Sequence, residues 1–298
     1  MNSISFCKFH GFGNDYIVFE AEELGDVASL SDFAVRVCHR NTGIGGDGIA
    51  VLEKLSAGAA ADYSCRIINP DGSEAGFSGN GTRCAVAYLH YKNLWREPNL
   101  RLETRSGLKN YEFLRREGNT FWFLAELGKP KFDLHNAARA AAAEIAAEKN
   151  LKMSEFSTFL LPREGLAVKF FYVDVGNPVA CIFVEDFDEL DWRRAGRIME
   201  SNTEVFPERT NVVFIKTIDM ENIEIRIWER GAGETSSSGT CSIAAAVAHL
   251  RRENLRGAVR VHAEGGTTEA AWRERDDEML ITGRADLAFC GAWLGESA

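Results

Sequence analysis

No stretch of the 298-residue chain approaches the ~20 consecutive apolar residues of a membrane-spanning helix, so no membrane partner is expected. The opening residues, Met1-Asn2-Ser3-Ile4-Ser5-Phe6-Cys7-Lys8, lack the basic-then-apolar layout of a secretory signal, and a cytoplasmic protein is expected. Basic residues are in deficit: 34 Lys and Arg against 44 Asp and Glu leave a net charge of −10. Nucleic-acid binding draws on clustered positive charge, and here Lys and Arg are scattered, so no nucleic-acid partner is expected. The seven cysteines are odd in number and form no C-x-x-C pair, which argues against a disulfide framework or a structural zinc. Reduced, mostly buried thiols acting as small hydrophobes are expected instead, with no metal.

What the chain does have is a stretch that occurs twice. Arg66-Ile67-Ile68-Asn69-Pro70-Asp71-Gly72-Ser73-Glu74 is followed by Ser78-Gly79-Asn80-Gly81-Thr82; Arg226-Ile227-Trp228-Glu229-Arg230-Gly231-Ala232-Gly233-Glu234 is followed by Ser238-Gly239-Thr240. A single offset of 160 positions aligns Arg, Ile, Glu, Ser and Gly, and each copy then enters an alanine-rich apolar segment. Each reads as strand, tight loop and helix N-terminus. A second matched pair, Gly13-Asn14 and Gly176-Asn177, opens each half with a strand, a turn and another strand, 163 positions apart. Length suggests two domains, and the duplication predicts that they share an α/β topology. Their expected bounds are 1–127 with a returning strand at 285–298, and 128–284, with Gly128-Lys129-Pro130-Lys131 as linker.

Other elements follow from pattern. Residues 31–40 read as a helix with Phe33, Val35 and Val37 as its apolar positions. Helices are also expected over 136–148 and 189–201, the latter with Trp192, Ala195 and Ile198 on one face. Gly43-Ile44-Gly45-Gly46-Asp47-Gly48 matches G-x-G-x-x-G literally, but a helix precedes it and a strand follows, the reverse of a dinucleotide site. Its glycines are read as letting backbone approach another segment or a ligand.

A helix N-terminus offers free N–H groups and a positive dipole end to an anion. Two such ends at one cleft suit a carboxylate or a phosphate. Serine is a preferred N-cap, which alone could account for Ser78 and Ser238. As a nucleophile or base, a serine hydroxyl needs an adjacent activating group, and no histidine lies near either in sequence. Glu74 and Glu234 are open as charge partners or functional carboxylates; Glu229 and Arg230 could form a surface ion pair.

At this point the residues resemble a known family, the diaminopimelate epimerases, over essentially the whole length. The matching pieces are Phe9-His10-Gly11-Phe12-Gly13-Asn14-Asp15, Gly43 to Asp47, Asn69 to Glu74, Gly79-Asn80-Gly81-Thr82-Arg83-Cys84, Gly176-Asn177-Pro178, Asn211, and Glu229 to Thr235. The resemblance implies two pseudo-symmetric domains, each a barrel-like antiparallel sheet around a central helix, with the active site in the cleft between them. It implies a homodimer, no cofactor (no pyridoxal phosphate), and a small amino-acid substrate. It implies two-base proton transfer at the α-carbon, with catalytic groups at Ser78 and Ser238, where the family pattern has cysteines. By the same carry-over, Asn14, Asn69, Asn177 and Asn211 contact substrate, and Glu229 and Arg230 hold its ammonium and carboxylate. Backbone N–H groups of Gly79, Asn80, Gly239 and Thr240 cradle the reacting carboxylate. Cys84 and Cys241 lie six and three positions beyond the serines and do not simply replace the missing thiols. Val179 stands where the family usually has histidine, and Phe77 is bulkier than its pattern. Three readings stay open: an epimerase with both cysteines changed to serine, a natural relative acting on another amino or hydroxy acid as epimerase or dehydratase, and a non-catalytic amino-acid binder.

Overall fold

The computed structural model describes residues 3–25, 27–132, 157–161 and 166–294, so the helix expected over 136–148 lies outside the described residues. The chain divides into two compact units, Met1–Glu126 with Thr282–Ala298, and Leu127–Ile281.

The first unit starts with β1 (Ser3–Gly11) and β2 (Asn14–Glu20), joined by a turn in which Phe12 and Gly13 both take positive φ. After helix α1 (Leu30–Cys38) come β3 (Gly48–Lys54), β4 (Tyr63–Ile68) and the short β5 (Glu74–Ala75). Helix α2 (Gly79–Tyr91) is followed by the meander β6 (Asn99–Thr104), β7 (Gly107–Glu117) and β8 (Thr120–Glu126). β1, β2, β3, β4, β6, β7 and β8 pair in that order. The last strand of the chain, β17 (Met279–Leu294), pairs with both β8 and β1 and closes an eight-stranded barrel. All steps are antiparallel except β2–β3 and β4–β6. Helix α2 carries small and apolar residues on every side, as a helix surrounded by protein must; Gly79 to Leu89 are all buried. α1 is amphipathic instead. Ser29 caps it, Phe33, Ala34, Val37 and Cys38 are buried, and Val35 turns outward although it was expected among the apolar positions.

The second unit repeats this plan. β9 (Ser157–Leu161), β10 (Leu166–Asp174), β11 (Pro178–Val184), β12 (Asn211–Thr217), β13 (Asn222–Glu229), β15 (Gly257–Ala263) and β16 (Gly266–Trp272) pair in that order, and β14 (Gly233–Thr235) adds to β13. The parallel steps are β11–β12 and β13–β15, which match β2–β3 and β4–β6 when β10 is set against β1. The duplication read from two loops therefore extends to strand order and direction. Helix α3 (Trp192–Ser201), capped by Asp191, starts later than expected, because Phe187–Glu189 forms a separate 3-10 turn capped by Asp186. Its Trp192, Ala195 and Met199 pack on Phe170, Phe206 and Phe214. Helix α4 (Gly239–Arg252) is buried from Gly239 to Leu250, like α2. The presumed linker is tied down: Lys131 and Asp174 exchange two backbone hydrogen bonds.

One expectation fails. The β1–β17 register sets Cys7 opposite Cys290, and the two sulfurs are bonded in a disulfide. The pair is separated by 283 positions, so neither spacing nor count could signal it. The remaining cysteines, 38, 65, 84, 181 and 241, are free and buried as expected.

Candidate active site

In the first unit Ser78 is the N-cap of α2, with extended backbone and its Oγ accepting the Gly81 N–H at 3.1 Å. Capping is not its whole environment, because the Tyr16 hydroxyl lies 2.9 Å from the same Oγ. Beside it, Asn80 is locked on three sides. Its Oδ1 accepts from the buried Arg83 guanidinium at 2.9 Å, its Nδ2 donates to Asn14 Oδ1 at 3.2 Å, and Gly11 leaves the room, since a Cβ there would sit 2.8 Å from Asn80 Oδ1. Arg83 is fully buried, and that burial pulls its pKa below the usual guanidinium range. Asn14 in turn donates to Asp47 Oδ2 at 2.9 Å. Asn69 is in the next turn, where its amide donates to Ser73 Oγ at 2.9 Å. Phe77 forms the ring under the buried Lys109 ammonium, 5.1 Å from its centroid, which explains an aromatic residue just before the cap.

The glycine-rich loop serves this half-site from behind. A Cβ on Gly43 would meet the Arg36, Val37 and His39 carbonyls at 2.3, 2.6 and 2.9 Å, so the close approach is to the end of α1. The loop ends at Asp47, whose carboxylate accepts the Asp15 N–H, while its own N–H donates to Asp15 Oδ1. Asp15 is also gripped by Arg40, at 3.1 and 2.9 Å, and by Lys8 at 2.7 Å. Burial alone would raise the Asp15 pKa; the hydrogen bonds and charges of Arg40 and Lys8 outweigh it and pull the group from 3.8 down to about 2. A folded-state pKa below the unfolded one stabilises the fold above the unfolded value, and that contribution is lost as pH falls through the folded value. Acid unfolding followed by circular dichroism should therefore steepen between pH 3.8 and about 2, and Asp15→Asn should flatten that window while lowering stability at neutral pH.

In the second unit Ser238 is the buried N-cap of α4. Its Oγ accepts weakly from the Cys241 N–H at 3.4 Å, lies 3.3 Å from Thr240 Oγ1, and donates to Glu229 Oε2 at 3.0 Å. The other oxygen of Glu229 accepts from Thr235 Oγ1 at 2.7 Å. Asn211, 2% exposed, accepts the Arg230 N–H at 2.9 Å, and the Arg230 guanidinium donates to Asn177 Oδ1 at 3.0 Å and to the Glu208 carbonyl at 2.7 Å. The 229–233 turn is pinned by buried Glu200, which accepts the Gly231 N–H and pairs with Arg209.

Within the first unit, then, the fold gathers Ser78, Asn14, Asn80 and Gly79 at one helix end, with Asn69 in the adjoining turn. Within the second it gathers Ser238, Gly239, Thr240, Glu229, Arg230, Asn177 and Asn211. For Glu229 and Arg230, considered from sequence as a surface ion pair, the carboxylate takes the Ser238 and Thr235 hydroxyls and the guanidinium donates to Asn177 and the Glu208 carbonyl. Glu74 and Glu234 are ion-pair partners, of Arg66 at 2.9 Å and of Arg193 at 2.6 Å. Cys84 and Cys241 are both buried, which disfavours the thiolate form at either position. Burial raises both pKa values well above the thiol range, and for Cys241 it overrides the favourable field of the first helical turn. Tyr16, Thr235, Arg83 and Glu200 were not singled out from sequence; only the 160-position match of Asn69 to Glu229 hinted that the halves differ in chemistry.

A family model for diaminopimelate epimerase matches residues 6–132 and 171–288. A diaminopimelate epimerase of Pelotomaculum thermopropionicum is 33% identical over 289 residues, covering 97% of this chain and 98% of that one. One of Caldanaerobacter subterraneus subsp. tengcongensis is 34% identical over 286 residues, covering 96% and 98%. Among solved structures, a hydroxyproline epimerase from Agrobacterium vitis superposes with a TM-score of 0.67 at 14% identity, over 98% of this chain and 92% of that one, a likeness of fold. With the match covering nearly the full length of chain and relatives alike, the chain belongs to the diaminopimelate epimerase family and is an isomerase of the epimerase kind.

Proposed function

We propose that the protein epimerises an α-amino acid, with diaminopimelate as the first candidate, by proton transfer through Ser78 and Ser238 and without pyridoxal phosphate. The observation that carries this is the Ser238–Glu229 hydrogen bond, which supplies the adjacent base that a serine requires. In the proposed step the α-C–H bond breaks as its proton passes to Ser238 Oγ, and the Ser238 proton passes to Glu229. The electron pair moves into the substrate carboxylate, so no free alkoxide forms. The N–H groups of Gly79, Asn80, Gly239 and Thr240, at helix N-termini, stabilise the charge that develops there. In this reading Asn14, Asn69, Asn177, Asn211 and Arg230 orient the substrate, and Glu229 also meets its ammonium group. The same reading includes a homodimer, checked by light scattering.

A natural relative is favoured over a cysteine-stripped epimerase by what surrounds each serine: a phenol at one and a carboxylate with two threonines at the other. The test is α-proton exchange in D₂O, followed by NMR with LL- and meso-diaminopimelate. Exchange by the protein as it stands is expected. Exchange only after Ser78→Cys/Ser238→Cys would return the reading to a disabled epimerase. Inertness of both forms would sink diaminopimelate as substrate, and binding without exchange would leave a binder.

A further inference from the structure

A buried cation ordinarily has a carboxylate beside it, because the desolvation of a lone charge is costly. Arg83, in the second turn of α2, is 1% exposed and has no such partner. Among the described residues it forms no ion pair and makes one side-chain hydrogen bond, to Asn80 Oδ1 at 2.9 Å, while its Nε meets no acceptor. That bond runs back three residues along the helix, as helical side chains lean, and carries the guanidinium to the first turn. The helix dipole is already positive there, and a cation is favoured at the opposite end. The first turn is also short of acceptors. Ser78 Oγ caps the Gly81 N–H, and the N–H groups of buried Gly79 and Asn80 meet no acceptor among the described residues.

Packing does not call for a charge at this position. The 160-position offset that aligns the two caps sets Arg83 against Ile243, which holds the same place on α4 and is fully buried. An apolar side chain therefore serves the copy. The first unit instead makes room for a guanidinium. A Cβ on Gly283 of β17 would lie 2.5 Å from Arg83 Cζ and 2.7 Å from Nη2, so a larger residue there would push the group away from its place. Arg83, Asn80 and Gly283 all belong to the first unit. A placement that breaks the rules for burial and for helix charge together, with space reserved for it, marks a functional requirement rather than a stabilising one.

The two open N–H groups, the dipole and the unpaired guanidinium have one sign and meet at one helix end. An anion bound there relieves all of them. We propose that Arg83 is a positioning residue for the substrate carboxylate, its buried charge held at the N-terminus of α2 through Asn80 and completed by the ligand rather than by the protein. This rests on the epimerase reading above. Arg83 acts through Asn80 and through its field. As the α-proton leaves, further negative charge gathers on that carboxylate, so the guanidinium stabilises the transition state more than the bound ground state.

The test compares Arg83→Gln, which keeps an N–H donor for Asn80 and removes the charge, with Arg83→Lys, which keeps the charge. α-Proton exchange from LL- and meso-diaminopimelate in D₂O, at varied substrate, gives kcat and KM. Arg83→Gln should lower kcat/KM about 100-fold, most of it in kcat. Arg83→Lys should recover about tenfold of that loss. Thermal unfolding without ligand should show Arg83→Gln melting no lower than wild type, since an unpaired buried charge has been removed. An arginine that served only the fold would show the reverse, a lower melting temperature with kcat preserved. Gly283→Ala, which crowds the guanidinium and leaves its charge, should lower kcat/KM in the same sense. Arg83→Gln within about threefold of wild type in kcat/KM overturns the inference alone. So do equal losses in the Gln and Lys variants, and so does an Arg83→Gln protein that does not fold beside a Gly283→Ala protein of wild-type activity. Wild-type protein inert toward both isomers overturns the epimerase reading, and the inference with it.

Discussion

Glu229→Gln is expected to lower the maximal rate of α-proton exchange by about a thousandfold, within the 10²–10⁴ range of a positioned general base. The substitution keeps the shape of the side chain, so the turn held by Thr235 and Gly231 stays in place. It exchanges an acceptor-only carboxylate for an amide that cannot take the Ser238 proton. Two roles for Glu229 make opposite demands on the kinetics. A group that only holds the substrate ammonium binds ground state and transition state alike, and its loss raises KM with kcat preserved. A group that accepts a proton during the reaction lowers kcat and kcat/KM together. The 3.0 Å bond from Ser238 and the 2.7 Å bond from Thr235 aim one oxygen at Ser238 and anchor the other. The fall is therefore expected in kcat, and saturating-substrate exchange kinetics by NMR would measure it. An unchanged kcat with a raised KM would remove Glu229 from the proton path.

Phe214→Ala is expected to cost about 3–5 kcal/mol, the usual price of emptying a buried aromatic site. β12 is buried at every position from Asn211 to Ile215. Phe214, with no exposed surface, packs against Trp192 at a centroid distance of 5.8 Å, within a cluster that includes Phe170, Phe206 and Met199. Rigid strand on one side and a short capped helix on the other leave little scope for collapse into the cavity. For a unit of this size each kcal/mol lowers the melting temperature by about 2–4 °C, so a fall of about 10 °C is expected by calorimetry. A fall of under 3 °C would mean that α3 closes the gap and that the cluster is less constrained than its packing indicates.

Much of the site was legible because its signals are local. Serine, glycine and an alanine-rich run fix a capped helix within a few residues, and the 160-position offset found both copies. The helix-strand order around Gly43 to Gly48 excluded a dinucleotide site for the same reason. Other features failed to register because their partners are far apart in sequence. Tyr16 and Ser78 are 62 positions apart, and Asp15 meets Asp47 across 32. A tyrosine in a strand reads as core whether its hydroxyl is free or pointed at a serine. Cys7 and Cys290 were read as separate thiols because only strand register makes them neighbours.

The sequence by itself determined the duplication, the two capped helices, the family and the identity of the residues at the helix ends, since all of these are carried by order and local spacing. Only the tertiary structure decided which side chain meets each serine. A neighbouring strand or turn delivers it to within 3 Å, a phenol slotted between Gly48 and Gly81 in one unit and the Glu229 carboxylate in the other.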